Sequence, residues 1–357
     1  MTLDSILLDS WSRAGRSHCF PIASKSMTTV RVGVIGFGLM GRTHAEAFHR
    51  DPRASLVAIA DPNHSARAES EGNLDAQEDF VLPEEVAVHA DPADLLARDD
   101  IDAVVVAAPT VFHADLAIAV LESGRHLLVE KPLALDSVDA ARVARAGAAR
   151  PDLVAWPAMC MRFWPEWKFL LEGLQAGRWG QVQQARFERL GAIPSWGGEF
   201  FQDHTKSGGA ILDLHIHDVD FVRSCFGEPE KMQVFGRRGL SGGFDQVHAA
   251  FAYDRIPGGV HAEGAWFEGD VPFTLRFMVV CDQAIVRYDI ANTPTLSIHP
   301  TDGSAGARPD FPEGSCYQHQ AAAFLDAVLE GQDHGLSLED GVRAIAIVER
   351  ERNELTT

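Results

Sequence analysis

The chain has 357 residues, 46% of them hydrophobic and 23% charged, enough for two domains with cores of their own. Its 51 acidic residues against 31 Lys and Arg leave a net charge of −20, which disfavours a polyanionic partner such as nucleic acid. The longest apolar stretches, such as 104–108, are too short to span a bilayer. Cys19, Cys160, Cys225, Cys281 and Cys316 are scattered without a CxxC spacing, the pattern of reduced thiols in a cytosol.

Residues 1–26 hold no long apolar core, no paired arginines and no small-residue cleavage site, so no secretory leader is expected. Met27 reads as the working start, with the residues before it a loose, disordered tail or a start assigned too early. The alternative is an arm that embraces a partner subunit. A first strand follows over 30–35 and runs into Gly36-x-Gly38-x-x-Gly41 and a helix over 39–50. In this strand–turn–helix context each glycine has a job. Gly36 permits the tight turn, Gly38 lets the backbone approach a pyrophosphate, and Gly41 lets helix and strand pack closely. The helix N-terminus offers free N–H groups and a positive dipole end to the phosphates, so Phe37, Leu39 and Met40 join the glycines as cofactor-facing residues. A second strand over 56–60 ends at Asp61, 20 residues after Gly41. A carboxylate there accepts both ribose hydroxyls and repels a 2′-phosphate. Pro62 and Asn63 follow it, with no adjacent Arg, so NAD is expected over NADP.

The alternation continues with a weaker strand over 86–89, a helix opened by Asp91-Pro92, and strands over 101–108 and 126–130. The helices between and after them cover 112–123 and 136–149. This spacing predicts α/β architecture: a Rossmann-type, doubly wound parallel sheet. Ligands of such sheets sit at the carboxyl ends of the strands. The glycine turn, Asp61, Ala108, Pro109, Thr110, His113, Glu130 and Lys131 therefore share one rim. One more strand is expected over 153–161, and then the character changes. Runs at 182–190, 231–235, 248–253, 259–266, 273–280 and 283–289 follow without crossover helices, which predicts an α+β domain on an open, mainly antiparallel sheet. A loop over 292–314 is rich in Pro, Gly and Asp, and helices over 318–329 and 338–353 close the chain. The divisions fall at 28–150, 151–315 and 316–357.

Three groups could do chemistry. Lys131, at the end of the fifth strand beside the dinucleotide, is placed to touch a substrate hydroxyl, where a cationic donor lowers the cost of a developing alkoxide. The bland reading is a surface lysine. The second group lies in a helical stretch from the pair Gly208-Gly209 to Gly227. Asp213 and His217, at i and i+4, share one face, opposite Val219, Val222, Cys225 and Phe226. An imidazole with a carboxylate one turn away is a proton shuttle, the carboxylate fixing the ring and stabilising its charged form. His215 and Asp218 project into the apolar arc and read as hydrogen-bonded structural residues. A His-x-His metal site suits a strand better than this helix, so no metal is expected. The third is Arg162, which could steer a cofactor phosphate or a sugar hydroxyl; a structural ion pair is the equal alternative. Tyr317 and His319 are weaker candidates. Trp164, Trp167, Trp179 and Trp196 cluster near the domain junction, mostly as core, with Trp196 kept as a pocket wall because it lies in a loop.

The residues VIGFGLMG at 34–41, AAPTVFHADLAIAVLESGRHLLVEKPLAL at 107–135 and GGAILDLHIHDVD at 208–220 resemble the glucose–fructose oxidoreductase / inositol dehydrogenase (Gfo/Idh/MocA) family. The resemblance runs from about 29 to 351. It implies that Lys131, Asp213 and His217 form the catalytic set, and that the second domain also builds a homodimer or homotetramer. It further implies that the last helices pack back toward the nucleotide domain. Thr110 stands where many members have Asn, which affects one contact near the nicotinamide ribose. Residues 157–161, before Arg162, lack the usual polar side chains of the substrate pocket.

The activity expected is cytoplasmic, NAD-dependent and reversible hydride transfer at a carbinol carbon of a sugar, sugar derivative or cyclitol. His217 takes the hydroxyl proton, Lys131 holds the same oxygen and Asp213 orients His217; Arg162 and Trp196 complete the substrate pocket. The alternatives are an NAD-redox-cycling glycosidase, which forms no net NADH, and a non-catalytic NAD or sugar sensor, whose relatives tend to lose the lysine or histidine. Asp61→Ala should weaken NAD binding and relax the bias against NADP. Titration with both nucleotides checks this, and an unaltered preference would reject the assignment.

Overall fold

The computed structural model describes residues 28–63, 80–195 and 197–356. Residues 1–27, which carry the expectations about Met27 and an N-terminal arm, lie outside the described residues, as does Trp196.

The first sheet follows the alternation of the sequence: β1 Val30–Ile35, α1 Leu39–Arg50, β2 Ala54–Ala60, β3 Ala87–His89, α2 Pro92–Leu96, β4 Ala103–Val106, α3 His113–Glu122, β5 His126–Val129, α4 Ser137–Ala148 and β6 Ala155–Pro157. The strand order is β3-β2-β1-β4-β5-β6 and every neighbouring pair is parallel. All four residues of β4 are buried, which is why Ala-Val-Val-Val shows no alternation. Local chemistry sets the helix starts. Asp91 accepts a hydrogen bond from the Ala93 N–H at 2.9 Å, and Asp136 does the same for the Asp139 N–H at 2.9 Å. The order reverses between β1 and β4, so their carboxyl ends open the crevice in which such sheets bind ligands.

The strand expected over 153–161 is much shorter. Pro157 has no N–H to donate to the ladder, and the chain turns instead into a 3-10 turn, Cys160–Phe163. Then comes α5 Pro165–Gln175, a helix not anticipated from the sequence, with Pro at its first position, where the missing N–H costs nothing.

The second sheet is built from β7 Val182–Ala192 and, after three short helical pieces, α6 His204–Ser207, α7 Ala210–Asp213 and α8 Ile216–Phe226, from the run β8 Lys231–Arg238, β9 Phe244–Tyr253, β10 Ile256–Phe267, β11 Thr274–Cys281, β12 Ala284–Asp289 and β13 Leu296–Pro300. Its order is β13-β12-β11-β7-β10-β9-β8. Neighbours are antiparallel except β7 and β10, which run parallel. β13 lies inside the stretch expected to be irregular. Trp167 of α5 is fully buried at the centre of this half, edge-on to Phe221 at 4.8 Å and to Phe277 at 5.1 Å. The last helices, α9 Cys316–Glu330 and α10 Leu338–Glu354, return to the first sheet. Phe324 of α9 meets Phe48 of α1 edge-on at 6.0 Å, and Glu349 of α10 accepts the Ser137 N–H at the head of α4. No helix among the described residues is long and apolar enough to cross a membrane.

Gly36 and Gly41 are required by contact. Gly36 has φ +87° and a Cβ there would stand 2.5 Å from the Ala108 nitrogen. A Cβ on Gly41 would stand 1.9 Å from the Gly36 carbonyl oxygen. Gly41→Ala should therefore cost about 3 kcal/mol through overpacking of backbone on backbone. Thermal unfolding of the variant checks this, and an unchanged midpoint would contradict it.

Candidate active site

The rim at the carboxyl ends of β1, β2, β4 and β5 is shaped as a dinucleotide cradle. Gly38 precedes α1 and no side chain caps that helix, so its first N–H groups are left for an anion. Asp61, 2% exposed, accepts the Phe37 N–H at 2.7 Å through Oδ2 and the Asn63 N–H at 2.7 Å through Oδ1. The acid at the end of β2 thus also holds the glycine turn in shape. Leu39 and Met40 form the first turn of α1. Ala108 and Pro109 follow β4, and Thr110 opens a 3-10 turn, Thr110–Phe112.

Several residues expected to touch the cofactor are hydrogen-bonded within the protein. His113 is 2% exposed, with Nδ1 2.7 Å from the Pro132 carbonyl and Nε2 2.7 Å from the Ala108 carbonyl. Burial pushes its imidazole toward the neutral form, against the pull of the two carbonyls, and a neutral ring donates to only one of them. Glu130, 5% exposed, bonds His44 Nε2 at 2.7 Å and accepts the Lys131 N–H at 3.0 Å. Burial alone would raise its carboxyl, but the His44 hydrogen bond and the nearby Lys131 charge hold it below its ordinary value. Arg162 is engaged through Nε and Nη2 with Asp220 at 2.8 and 2.6 Å, with Asp340 3.3 Å away. Its planar fork matches the Asp220 carboxylate, which is the structural ion pair named as the alternative to a cofactor or substrate contact.

Lys131 is the rim residue that reaches across to the second half. Its Nζ donates to the Asp213 carbonyl at 2.7 Å and to Asp213 Oδ1 at 3.0 Å. The helix expected without interruption from 209 to 226 makes this possible by breaking. At the break the His215 N–H bonds back to the Ala210 carbonyl, five residues away, and the His217 N–H turns to the Leu214 carbonyl. In a regular helix His217 would bond to Asp213; here the Asp213 carbonyl is freed and Lys131 takes it. His215 wedges against β10 at the break, where a Cβ on Gly264 would lie 2.7 Å from His215 Cβ.

The assigned pairing is corrected in consequence. Among the described residues no hydrogen bond joins Asp213 to His217; the carboxylate orients Lys131. His217 is half-buried, and its Nδ1 has no hydrogen-bond partner. Burial first, then the charges of Lys131 and Arg189, hold its imidazole well below the ordinary value of 6.5. A neutral imidazole beside a cationic amine can accept a proton from a hydroxyl that the amine also contacts.

Buried pairs that the sequence did not reveal brace this helix. Arg189 of β7 bonds Asp218 at 2.8 and 3.2 Å, and His215 Nε2 lies 3.2 Å from Glu351 Oε1 of α10. Asp218 and His215 are therefore structural, as their apolar arc implied. Arg189 follows Ala185 and Phe187 on the buried face of an alternating strand; a charge at an inward position was the available signal. Tyr317 packs edge-on to His44 at 5.8 Å, and Trp167 and Trp179 are core.

A parallel sheet with an uncapped glycine turn, joined to a mainly antiparallel sheet whose helix meets a rim lysine, is the architecture of a two-domain, dinucleotide-dependent oxidoreductase. Two family models match the chain: the "Oxidoreductase family, NAD-binding Rossmann fold" over residues 30–156 and the "GFO/IDH/MocA C-terminal domain" over 168–287. Inositol 2-dehydrogenase 1 of Saccharopolyspora erythraea is 29% identical over 332 residues, covering 90% of this chain and 92% of that protein. Myo-inositol 2-dehydrogenase of Thermotoga maritima is 30% identical over 207 residues, covering 58% of this chain and 57% of that protein. Among solved structures, scyllo-inositol dehydrogenase of Lactobacillus casei with NAD(H) and scyllo-inositol superposes with a TM-score of 0.73 at 21% identity, covering 92% of this chain and 97% of that one. The chain belongs to the Gfo/Idh/MocA oxidoreductase family. It is an NAD-binding oxidoreductase of that family.

The direction of the His217 shift gives a pH signature. Oxidation needs the neutral ring, so kcat/KM should fall only on an acid limb that lies below pH 6.5 and should be flat from there through neutrality. A limb centred above 6.5 in the pH profile would contradict the assignment.

Proposed function

We propose that the protein oxidises a ring carbinol of a cyclitol or a sugar, reversibly, with Lys131 and His217 on the reacting oxygen and Asp213 fixing Lys131. The observation that carries this reading is the double hydrogen bond from Lys131 to Asp213, which brings the cofactor rim under the helix bearing His217. NAD, held along Gly36–Gly41 and Asp61, accepts the hydride. The cradle fits it: α1 is uncapped and Gly36 leaves no side chain between the turn and Ala108.

His217 takes the hydroxyl proton at Nε2, its Nδ1 being buried. Lys131 donates to the same oxygen and lowers the cost of its developing charge. Asp213 shares the amine, which keeps it aimed. The preference for a cyclitol or sugar rests on the named relatives, of which the first spans nearly this whole chain. Residues 28–150 hold the cofactor, 151–315 hold the substrate and the contacts between subunits, and 316–357 brace both. Assembly as a homodimer or homotetramer is supported by Phe235 and Met278, exposed on the face of the second sheet away from its core. A cytoplasmic setting fits the scattered cysteines.

NADH absorbance with a panel of cyclitols and sugars tests the reading. His217→Ala and Lys131→Met should each lose roughly 10²- to 10⁴-fold in turnover, the usual worth of a proton-transfer group, while NAD still binds. Turnover without net NADH would support the redox-cycling glycosidase instead, and unchanged turnover in either variant would reject the role of that residue.

A further inference from the structure

α1 sends one polar ring into the core, and the chain of contacts it starts ends at Lys131. His44 is fully buried, about one and a half turns from the N-terminus of α1. Its Nε2 lies 2.7 Å from Glu130 Oε1, at the end of β5. The other carboxylate oxygen of Glu130 accepts the backbone N–H of Lys131 at 3.0 Å. Lys131 then spans the crevice to Asp213. The far side of the ring meets Tyr317, at the head of α9, edge-on at 5.8 Å.

Packing alone does not account for this arrangement. His44 Nδ1 has no partner, so the ring makes a single hydrogen bond and carries an unsatisfied buried nitrogen. Leaving such a nitrogen unmatched destabilises the fold, and an apolar pair of the same shape would avoid that cost. What an apolar pair could not do is hold a carboxylate under the N–H of Lys131. With its proton on Nε2, His44 donates to Glu130, and Glu130 in turn fixes the peptide from which the lysine side chain departs. The same helix offers its free N-terminal N–H groups to the cofactor phosphates.

We propose that His44 is a positioning residue for the reaction: through Glu130 it sets the aim of Lys131 and ties that aim to the helix that holds the cofactor. The inference rests on the reading of Lys131 as catalytic. Its action is geometric, since a displacement of about 1 Å in a reacting group costs up to about 100-fold in rate. The helix N-terminus that would meet the cofactor phosphates lies about one and a half turns away.

A double-mutant cycle tests it, with kcat counted per NAD-binding site so that unfolded protein does not enter. His44→Met should lower kcat by up to about 100-fold while NAD affinity changes little. His44→Gln keeps an N–H toward Glu130 and should restore most of the loss. In a Lys131→Met background, His44→Met should change kcat by no more than about two-fold, because the lysine it aims is gone. The proposal is overturned if the His44→Met loss persists in full in that background, if His44→Gln is no better than His44→Met, or if kcat is unchanged. Should His44→Met fail to fold, Glu130→Gln takes its place in the same cycle, with the same loss expected and the same outcomes overturning the proposal. If Lys131→Met itself keeps full kcat, the catalytic reading falls and takes this one with it. If only Lys131→Met is slow, the inference about His44 fails alone.

Discussion

The active site depends on one carbonyl oxygen that its own helix gives up. Between α7 and α8 the ladder skips, and the Asp213 carbonyl is left without the His217 N–H that a regular helix would supply. Lys131 takes both that carbonyl and the Asp213 carboxylate. A cation at the end of a short helix is favourably placed against the local dipole. The contact also crosses from the sheet that cradles the cofactor to the sheet that presents His217, so one amine sets the relative position of the two halves of the chemistry.

Around this junction the protein buries more charge than stability requires. Arg189 with Asp218, His215 with Glu351, and Arg162 with Asp220 are all nearly or fully inaccessible. Desolvation makes such pairs weak contributors to net stability, while removing one partner typically costs about 3–5 kcal/mol. Their common geometry points to position. Each ties the helix after the break, or the segment next to it, to a different neighbour: Arg189 to β7, Glu351 to α10, and Arg162 to the turn after β6. The broken helix is therefore held from several directions where its own hydrogen bonds are missing. Arg189 adds an electrostatic effect, since its charge helps Lys131 and burial keep His217 neutral.

Much of the scaffold was legible because its causes are local. Glycines whose missing Cβ atoms are demanded by backbone a few residues away, apolar runs with no alternation, and Asp or Pro at helix starts can all be read from short windows. The break at Leu214–His215 could not be, because it answers to Gly264 on a strand about fifty residues on. Without it, Asp213 and His217 read as a regular i, i+4 pair, and the carboxylate was assigned to the wrong partner. Arg162 shows the same limit. A cation after a strand looks alike in sequence whether its partner is a phosphate or Asp220, 58 residues further on. β13 is hidden in sequence by Pro294 just before it and Pro300 at its end, and the sixth strand stops at Pro157 rather than running on to 161. Lys131, Asp213 and His217 stand out in short windows of sequence; the hydrogen bond that joins Lys131 to Asp213, 82 residues apart, does not.

In the proposed reaction one atom does the decisive work: the carbinol hydrogen leaves as hydride while Lys131 and His217 manage the oxygen and its proton. The most direct measurement is a single turnover with a reactive polyol deuterated at that carbon, followed by mass analysis of the recovered cofactor. The account predicts that the label passes into NADH in the native enzyme, and that label transfer is slowed in parallel in Lys131→Met and Asp213→Asn proteins that still bind NAD. Label retained in the product or lost to solvent, or transfer at the native rate in Asp213→Asn, would contradict it.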